Sequence, residues 1–209
     1  MRLAALAAVT AASALLGALP AAGSAAGTTS TAPLLQEVMA LPVETEHREG
    51  YDRLREFGGW IDADRDGCNT RAEVMLAEAV QALEVTGRCT LNGGTWYSYY
   101  DDQRTDRVDI DHLVPLAEAW DSGAWRWTKA ERVAYANNLD VDHHLIAVTP
   151  RSNRQKADKD VAEWLPIEPV RCRYVTEWVT VKRDNGLSVD TKEKQALLDL
   201  ARQCPETNS

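Results

Sequence analysis

Three of the four histidines, His112, His143 and His144, fall within 33 residues and lie among aspartates. "DIDHLVPL" sets Asp111 directly before His112, "HHLIAV" carries the other two, and "SNRQK" supplies Asn153 and Lys156. These residue types suit phosphodiester cleavage. A neutral imidazole with a pKa near the working pH can take a proton from water. A carboxylate and an amide are hard oxygen donors for Mg²⁺ or Mn²⁺, which would neutralise charge on the phosphate and leaving oxygen. Asp111, His112 and Asn153 are that set, although an isolated Asp-His pair is more often just solvated. Arg151, Arg154, Lys156 and Lys159 surround Asn153 and would reach phosphate or form a solvated helix face. One local objection stands. Adjacent strand residues point to opposite faces, so Asp111 and His112 serve one ion only if the strand bends, which nearby Pro115 permits.

A second acidic stretch, "DADRDGCNTRAE" at 62–73, has the spacing of a calcium loop. Asp62, Asp64, Asp66 and Glu73 would offer side-chain oxygens, Cys68 its carbonyl, and Gly67 the sharp turn. The bland alternative is a turn whose acids are balanced by Arg65 and Arg71. Because no paired second loop is seen, a calcium sensor is not expected.

The order of an Asp-His strand, a His-led strand and an Asn-bearing helix resembles the His-Asn-His (HNH) endonucleases. Their ββα-metal fold arranges two strands and a helix around one divalent cation. The chain is more closely similar to the secreted bacterial nucleases of that family, through "DHLVPLAEAW.SGA..W", "NR.K.DKD.AEWLP" and "CRYV..WV.VK". The similarity runs from roughly Trp60 to Cys204 and includes "DGC.TR.EV" of the acidic loop. It implies that His112 is the general base and Asp111 the metal-binding acid before it. It also implies that Asn153 is the last ligand, and that His144 holds the middle position, which steadies the base or its loop. That position is often Asn, and the histidine pair here leaves His143 and His144 both open. Asn rather than His at the last position favours an oxygen-liking ion over zinc.

Two strands and a helix must hold these residues. "CTLNGGTWYSYYDDQRTDRVDIDHL" sets Asn-Gly-Gly turn chemistry between β-prone runs, which predicts strands and a hairpin. "HHLIAVT" reads as a strand, and "PRSNRQKADKDVAEWL" as a helix opened by Pro150 and stopped by Pro166. Helical patterning also runs, broken, from Leu34 to Phe57. "TRAEVMLAEAVQALEV", residues 70–85, reads as one amphipathic helix, and "PLAEAW" as a short one. Thr128 and Glu131 are spaced as a capping box, and a final helix is capped near Asp190. "RYVTEWVTVK" fits strand or helix. Trp96, Tyr97, Tyr99 and Tyr100 read as packing rather than base-stacking platforms. The class is α+β: a mostly helical domain around a small antiparallel sheet containing a ββα-metal motif. One such domain is expected over 34–209, with its ββα core at about 106–165.

The frame narrows the setting. Residues 1–26, one Arg followed by an Ala- and Leu-rich run ending in Ser24-Ala25-Ala26, read as an export signal, and 27–33 as a disordered polar linker. The product is expected to be extracellular, off the membrane once processed, and a monomer. Cys68, Cys89, Cys172 and Cys204 include no C-x-x-C pair, so two disulfides are expected rather than a zinc site. Three pairings exist, and the local ones, Cys68–Cys89 and Cys172–Cys204, are favoured. The net charge of -9 argues against tight non-specific nucleic-acid binding but not against an enzyme that touches a few phosphates. The residues therefore point to an exported endonuclease acting on DNA, with RNA as the alternative substrate. It would use Mg²⁺ or Mn²⁺ at the active site and Ca²⁺ in the loop. The competing readings are a calcium-binding extracellular module with an inactive nuclease-like site, and a hydrolase of other phosphate esters.

Overall fold

The computed structural model describes residues 34–204, so the expected export signal (1–26) and linker (27–33) lie outside the described residues. Helices α1 (Leu34–Ala40) and α2 (Arg53–Phe57) precede the acidic loop, and α3 (Thr70–Ala77) leaves it. Asp52 and Asn69 cap α2 and α3 by accepting the N–H of Arg55 and Ala72. The helix expected over 70–85 stops at Ala77. From there the chain is extended as β1 (Ala79–Thr86), which pairs antiparallel with β2 (Thr90–Ser98), itself paired with β3 (Gln103–Thr105). Ala, Gln, Leu and Glu favour helix locally, but pairing along the length of β1 overrides that weak preference.

The Asn-Gly-Gly motif is not the turn of this hairpin. The chain reverses between Thr86 and Thr90, while Asn92, Gly93 and Gly94 lie inside β2. Gly94 has φ +87°, and a Cβ there would meet the Leu83 side chain on β1 at 2.6 Å. Glycine at this point admits a close neighbour across the strands.

A second sheet pairs β4 (Asp109–His112) antiparallel with β5 (Leu145–Val148). Between them run α4 (Leu116–Asp121) and α5 (Lys129–Ala136), and α6 (Pro150–Lys156) follows at once. Both halves of the capping box at Thr128 and Glu131 are formed. Thr149 caps α6 ahead of Pro150, but the helix ends at Lys156, short of Pro166, because Ala157 turns to φ +50°. The ambiguous "RYVTEWVTVK" lies within α7 (Arg171–Asp184), and α8 (Thr191–Ala201) starts at the Asp190 cap.

The fold is α+β, with its helices built around small antiparallel sheets. The main core gathers Tyr174, Val175 and Trp178 of α7 with Leu197 of α8, Leu113 and Trp120. Burying such a side chain contributes roughly 1.5–3 kcal/mol. A smaller core joins Val74 of α3 and Trp96 of β2 to Ile110 and Ala147 of the second sheet. Tyr99 and Tyr100 are buried among aromatic neighbours. Cys68 is joined to Cys89 and Cys172 to Cys204. The first disulfide ties the acidic loop to the tip of the β1–β2 hairpin. There Gly67, at φ +105°, leaves room for the Arg88 carbonyl, which a Cβ would approach to 2.6 Å. Among the described residues, no helix is long and apolar enough to cross a membrane.

Candidate active site

β4, β5 and α6 occur in the order expected from the sequence, and a cleft of about 460 Å³ runs along β4. Asp109, Ile110, Asp111 and His112 of β4 line it together with Asn153 and Arg154. The bend expected near His112 comes directly after it, at Leu113 and Val114, just ahead of Pro115. Register is unbroken from Asp109 opposite Val148 to His112 opposite Leu145, and Leu113 N–H continues the ladder to the His144 carbonyl at 3.0 Å. In the two-stranded sheet, only one side of β4 is paired, and Asp109 through His112 all border the cleft.

His112 is buried, and its Nε2 lies 2.9 Å from the Ala136 carbonyl. A carbonyl only accepts, so Nε2 carries the proton and Nδ1 of the neutral ring keeps the lone pair. Burial pushes the His112 pKa well below its ordinary value, with the charges of His144, Arg53 and Lys156 acting the same way. The ring is therefore held in its basic form. Trp60 stacks on it with centroids 5.1 Å apart and planes 5° from parallel. His144 stands edge-on to His112 at 6.3 Å, and its Nε2 donates to the Tyr135 carbonyl at 2.7 Å. Burial lowers the His144 pKa to about 4. His143 instead lines a separate hollow with Glu78, Tyr97 and Arg173. His144 is thus the histidine of the pair that neighbours His112.

Asp111 borders the cleft, but most of its hydrogen-bonding capacity is used inside. Tyr100 donates to Oδ2 at 2.8 Å, and Lys156 Nζ reaches both oxygens at 2.9 and 2.8 Å. Lys156 also donates to the His112 carbonyl at 2.9 Å and is fully buried. The phosphate contact expected of Lys156 is therefore corrected: the side chain faces away from any incoming phosphate and braces β4 from within. Asn153 does line the cleft, and its Nδ2 lies 3.2 Å from Oδ2 of Asp109, a carboxylate not singled out by the sequence pattern. Two neighbouring ligands of an octahedral Mg²⁺, with oxygens at 2.0–2.1 Å, stand about 3.0 Å apart. With its amide turned to present Oδ1, Asn153 and Asp109 have the spacing and donor type for such an ion, and Asp111 adds a second carboxylate to the cleft lining.

Of the expected phosphate contacts, Arg154 lines the cleft, whereas exposed Arg151 does not. Two further arginines, unforeseen from the sequence, join it: Arg53 from α2 and Arg71 from α3. Arg71, which the plain-turn alternative would set against the acids of the loop, has Nη2 3.4 Å from the Val108 carbonyl. No local pattern marks either arginine, because the chain brings them to β4 from well upstream. The cleft wall thus carries three guanidinium groups beside three carboxylates, Asp109, Asp111 and Asp158.

In the loop itself, carboxylate oxygens of Asp62, Asp64 and Asp66 lie within 4.8 Å of one another on the surface. Asp62 accepts the Gly67 N–H at 3.1 Å and Asp66 the Cys68 N–H at 2.7 Å. Burial and the charges of the three aspartates raise the pKa of Glu73, whose carboxyl stands outside their cluster.

Residues 65–200 match the family described as "GmrSD restriction endonucleases, C-terminal domain". The matched span holds His112, His144 and Asn153 but begins after Arg53 and Trp60. An "Uncharacterized secreted protein" of Arthroderma benhamiae is 38% identical over 161 residues, which cover 75% of this chain and 77% of the relative. That relative is fungal, so the kinship extends beyond the bacterial nucleases suggested by the sequence. No solved structure matches the chain. With most of its cleft inside the matched span, the chain belongs to the family of GmrSD restriction endonuclease C-terminal domains.

Proposed function

We propose that the protein is an exported, metal-dependent endonuclease of the HNH type. It hydrolyses phosphodiester bonds of DNA, with RNA as the alternative, and shows little sequence preference. The observation that carries this reading is the imidazole of His112, held neutral with its Nδ1 lone pair at a cleft walled by arginines. In this reading His112 takes the proton from the attacking water. Arg53, Arg71 and Arg154 hold the phosphodiester through its oxygens, which are common to every sequence. His144 packs edge-on against His112 and steadies the wall of the site behind it. Asn153 with Asp109 and Asp111 would hold Mg²⁺ or Mn²⁺, which when bound supplies positive charge to the phosphate and leaving oxygen.

The clustered oxygens of Asp62, Asp64 and Asp66, with Glu73 and the Cys68 carbonyl, are read as a structural Ca²⁺ loop. Export is supported by the secreted relative and by two disulfides, which persist in oxidising compartments. The processed protein is proposed to act as a monomer away from membranes.

The test is plasmid cleavage by purified protein with Mg²⁺ or with excess EDTA. Cleavage should require the metal, and His112→Ala should lower the rate by about 10²–10⁴-fold. Wild-type rates in folded His112→Ala, or full activity in EDTA, would overturn the proposal. Calcium binding with no cleavage under any metal would favour the inactive calcium module instead.

A further inference from the structure

The last residues of α5 hold three parts of the site in succession. The Tyr135 carbonyl accepts a hydrogen bond from His144 Nε2–H, and the Ala136 carbonyl accepts one from His112 Nε2–H. Asn137, the C-cap, uses its side chain on the segment that carries Trp60. Its Oδ1 accepts the Ile61 N–H at 3.0 Å, and its Nδ2 donates to the Gly59 carbonyl at 3.2 Å and to the Val133 carbonyl at 3.0 Å. The amide thus grips the backbone on both sides of Trp60. Helix carbonyls at a C-terminus lack partners within the helix, which is why two of them are available to imidazoles.

The rings in the resulting stack are close to parallel. The indole of Trp60 covers one face of the His112 ring, while the Ala136 carbonyl fixes rotation within the ring plane. A hydrogen bond alone leaves an imidazole able to tilt about the bond axis. A flat ring against its face removes that freedom.

We propose that Asn137 and Trp60 form a brace that fixes the plane of the His112 imidazole, making both of them positioning residues for the base. The inference rests on the reading of His112 given above. It assigns work to two residues that supply no reacting group: Trp60, which lines the cleft beside His112 and lies outside the family-matched span, and Asn137 behind it. Misplacing a reacting group by about 1 Å can cost on the order of 10²-fold in rate. A substrate held by arginines, by contrast, keeps its affinity when the base tilts.

The experiment uses the full chain with Trp60→Leu, Trp60→Phe, Asn137→Ala and the double variant Trp60→Leu/Asn137→Ala. Cleavage kinetics are measured beside proton spectra of histidine-labelled protein, with the His112 signals assigned by their loss in His112→Ala. In the wild type, the carbon-bound protons of His112 should be shifted upfield by the indole. Trp60→Leu should abolish that shift and lower kcat by roughly 10–100-fold, with KM changed less than about threefold. Trp60→Phe, which restores a flat face, should recover most of both signals. Asn137→Ala should lower kcat likewise, and the double variant should be no worse than the poorer single one, because both act through one ring.

Absence of the upfield shift in the wild type would overturn the brace. So would wild-type kcat in Trp60→Leu once the shift is lost, or a loss confined to KM. If Trp60→Leu fails to fold, the comparison of Trp60→Phe with Asn137→Ala decides by the same two readouts. Full cleavage by His112→Ala would instead refute the nuclease assignment of the base while leaving the ring shift, so the two failures are separable.

Discussion

Replacing Lys156 with methionine should destabilise the protein far more than loss of a surface cation. The side chain is fully buried, and its Nζ bonds to both oxygens of Asp111 and to the His112 carbonyl. Methionine fills most of the space but donates nothing, so Asp111 would stay buried with only the Tyr100 hydroxyl to satisfy it. Removing one partner of a buried ion pair costs about 3–5 kcal/mol. For a domain of this size each kcal/mol lowers Tm by about 2–4 °C, giving an expected drop of roughly 6–20 °C. Adding Asp111→Asn should recover part of the loss, because a neutral amide is cheaper to bury unpaired than a carboxylate. Thermal melts of the wild type, the two single variants and the double variant close a double-mutant cycle. A Lys156→Met protein melting within roughly 2 °C of wild type, the shift of a change of only about 1 kcal/mol, would refute the reasoning. So would a cycle with no coupling.

Arg71→Ala and Arg53→Ala should weaken binding to an uncleaved DNA and flatten its salt dependence, the log–log slope falling by about 0.7–0.9 for each phosphate no longer neutralised. Arg151→Ala, outside the cleft, should leave the slope as it is, and equal slopes for all three would mean that the arginine wall does not hold phosphate. Calcium at about 100 times its Kd should add about 2.7 kcal/mol, raising Tm by roughly 5–11 °C. Asp62→Ala should abolish that rise and His112→Ala should keep it, while a wild-type melt indifferent to Ca²⁺ makes the loop a plain turn. Burial raises the Glu193 pKa to about 8, opposed by Lys182. A carboxyl raised on folding stabilises below its unfolded pKa and loses that contribution as pH climbs through the folded value. Tm should therefore fall between about pH 5 and pH 8 through this group. Glu193→Gln should flatten that part of the profile, and an unchanged profile would discount the shift.

The legible parts of the fold are those whose cause is local. Thr128 with Glu131, Thr149 before Pro150, and Asp190 mark helix starts through bonds to neighbours three residues away. The sequence order of β4, β5 and α6 could likewise be followed from His112 to Asn153. What failed depended on distant pairing. Residues 79–86 have helix-forming composition and became strand only because β2 lies alongside. Lys156 looked solvated among other cations, yet it shares the inner face of α6 with Ser152, four residues back, and both are buried. That spacing is a signal the sequence does carry. Asp109 is masked by Asp111, the acid adjacent to His112. Arg53 gives no signal at all, and Trp60 marks only where the resemblance begins. Asn137 grips Gly59 and Ile61 from 78 and 76 residues away, a relation that only the folded chain expresses.

The end of α5 also sets a rule on chain length. Successive helix residues point about 100° apart and rise 1.5 Å. One residue added within Lys129–Ala136 would therefore turn Tyr135, Ala136 and Asn137 out of phase with His144, His112 and Trp60 at the same stroke. The chain between Asn138 and Asp142 faces no such demand, since none of those residues contributes to the cleft. Relatives of this protein should then vary in length after Asn137 and hold the count constant from Thr128 to Asn137, so that insertions, rather than substitutions, trace where the catalytic frame is anchored.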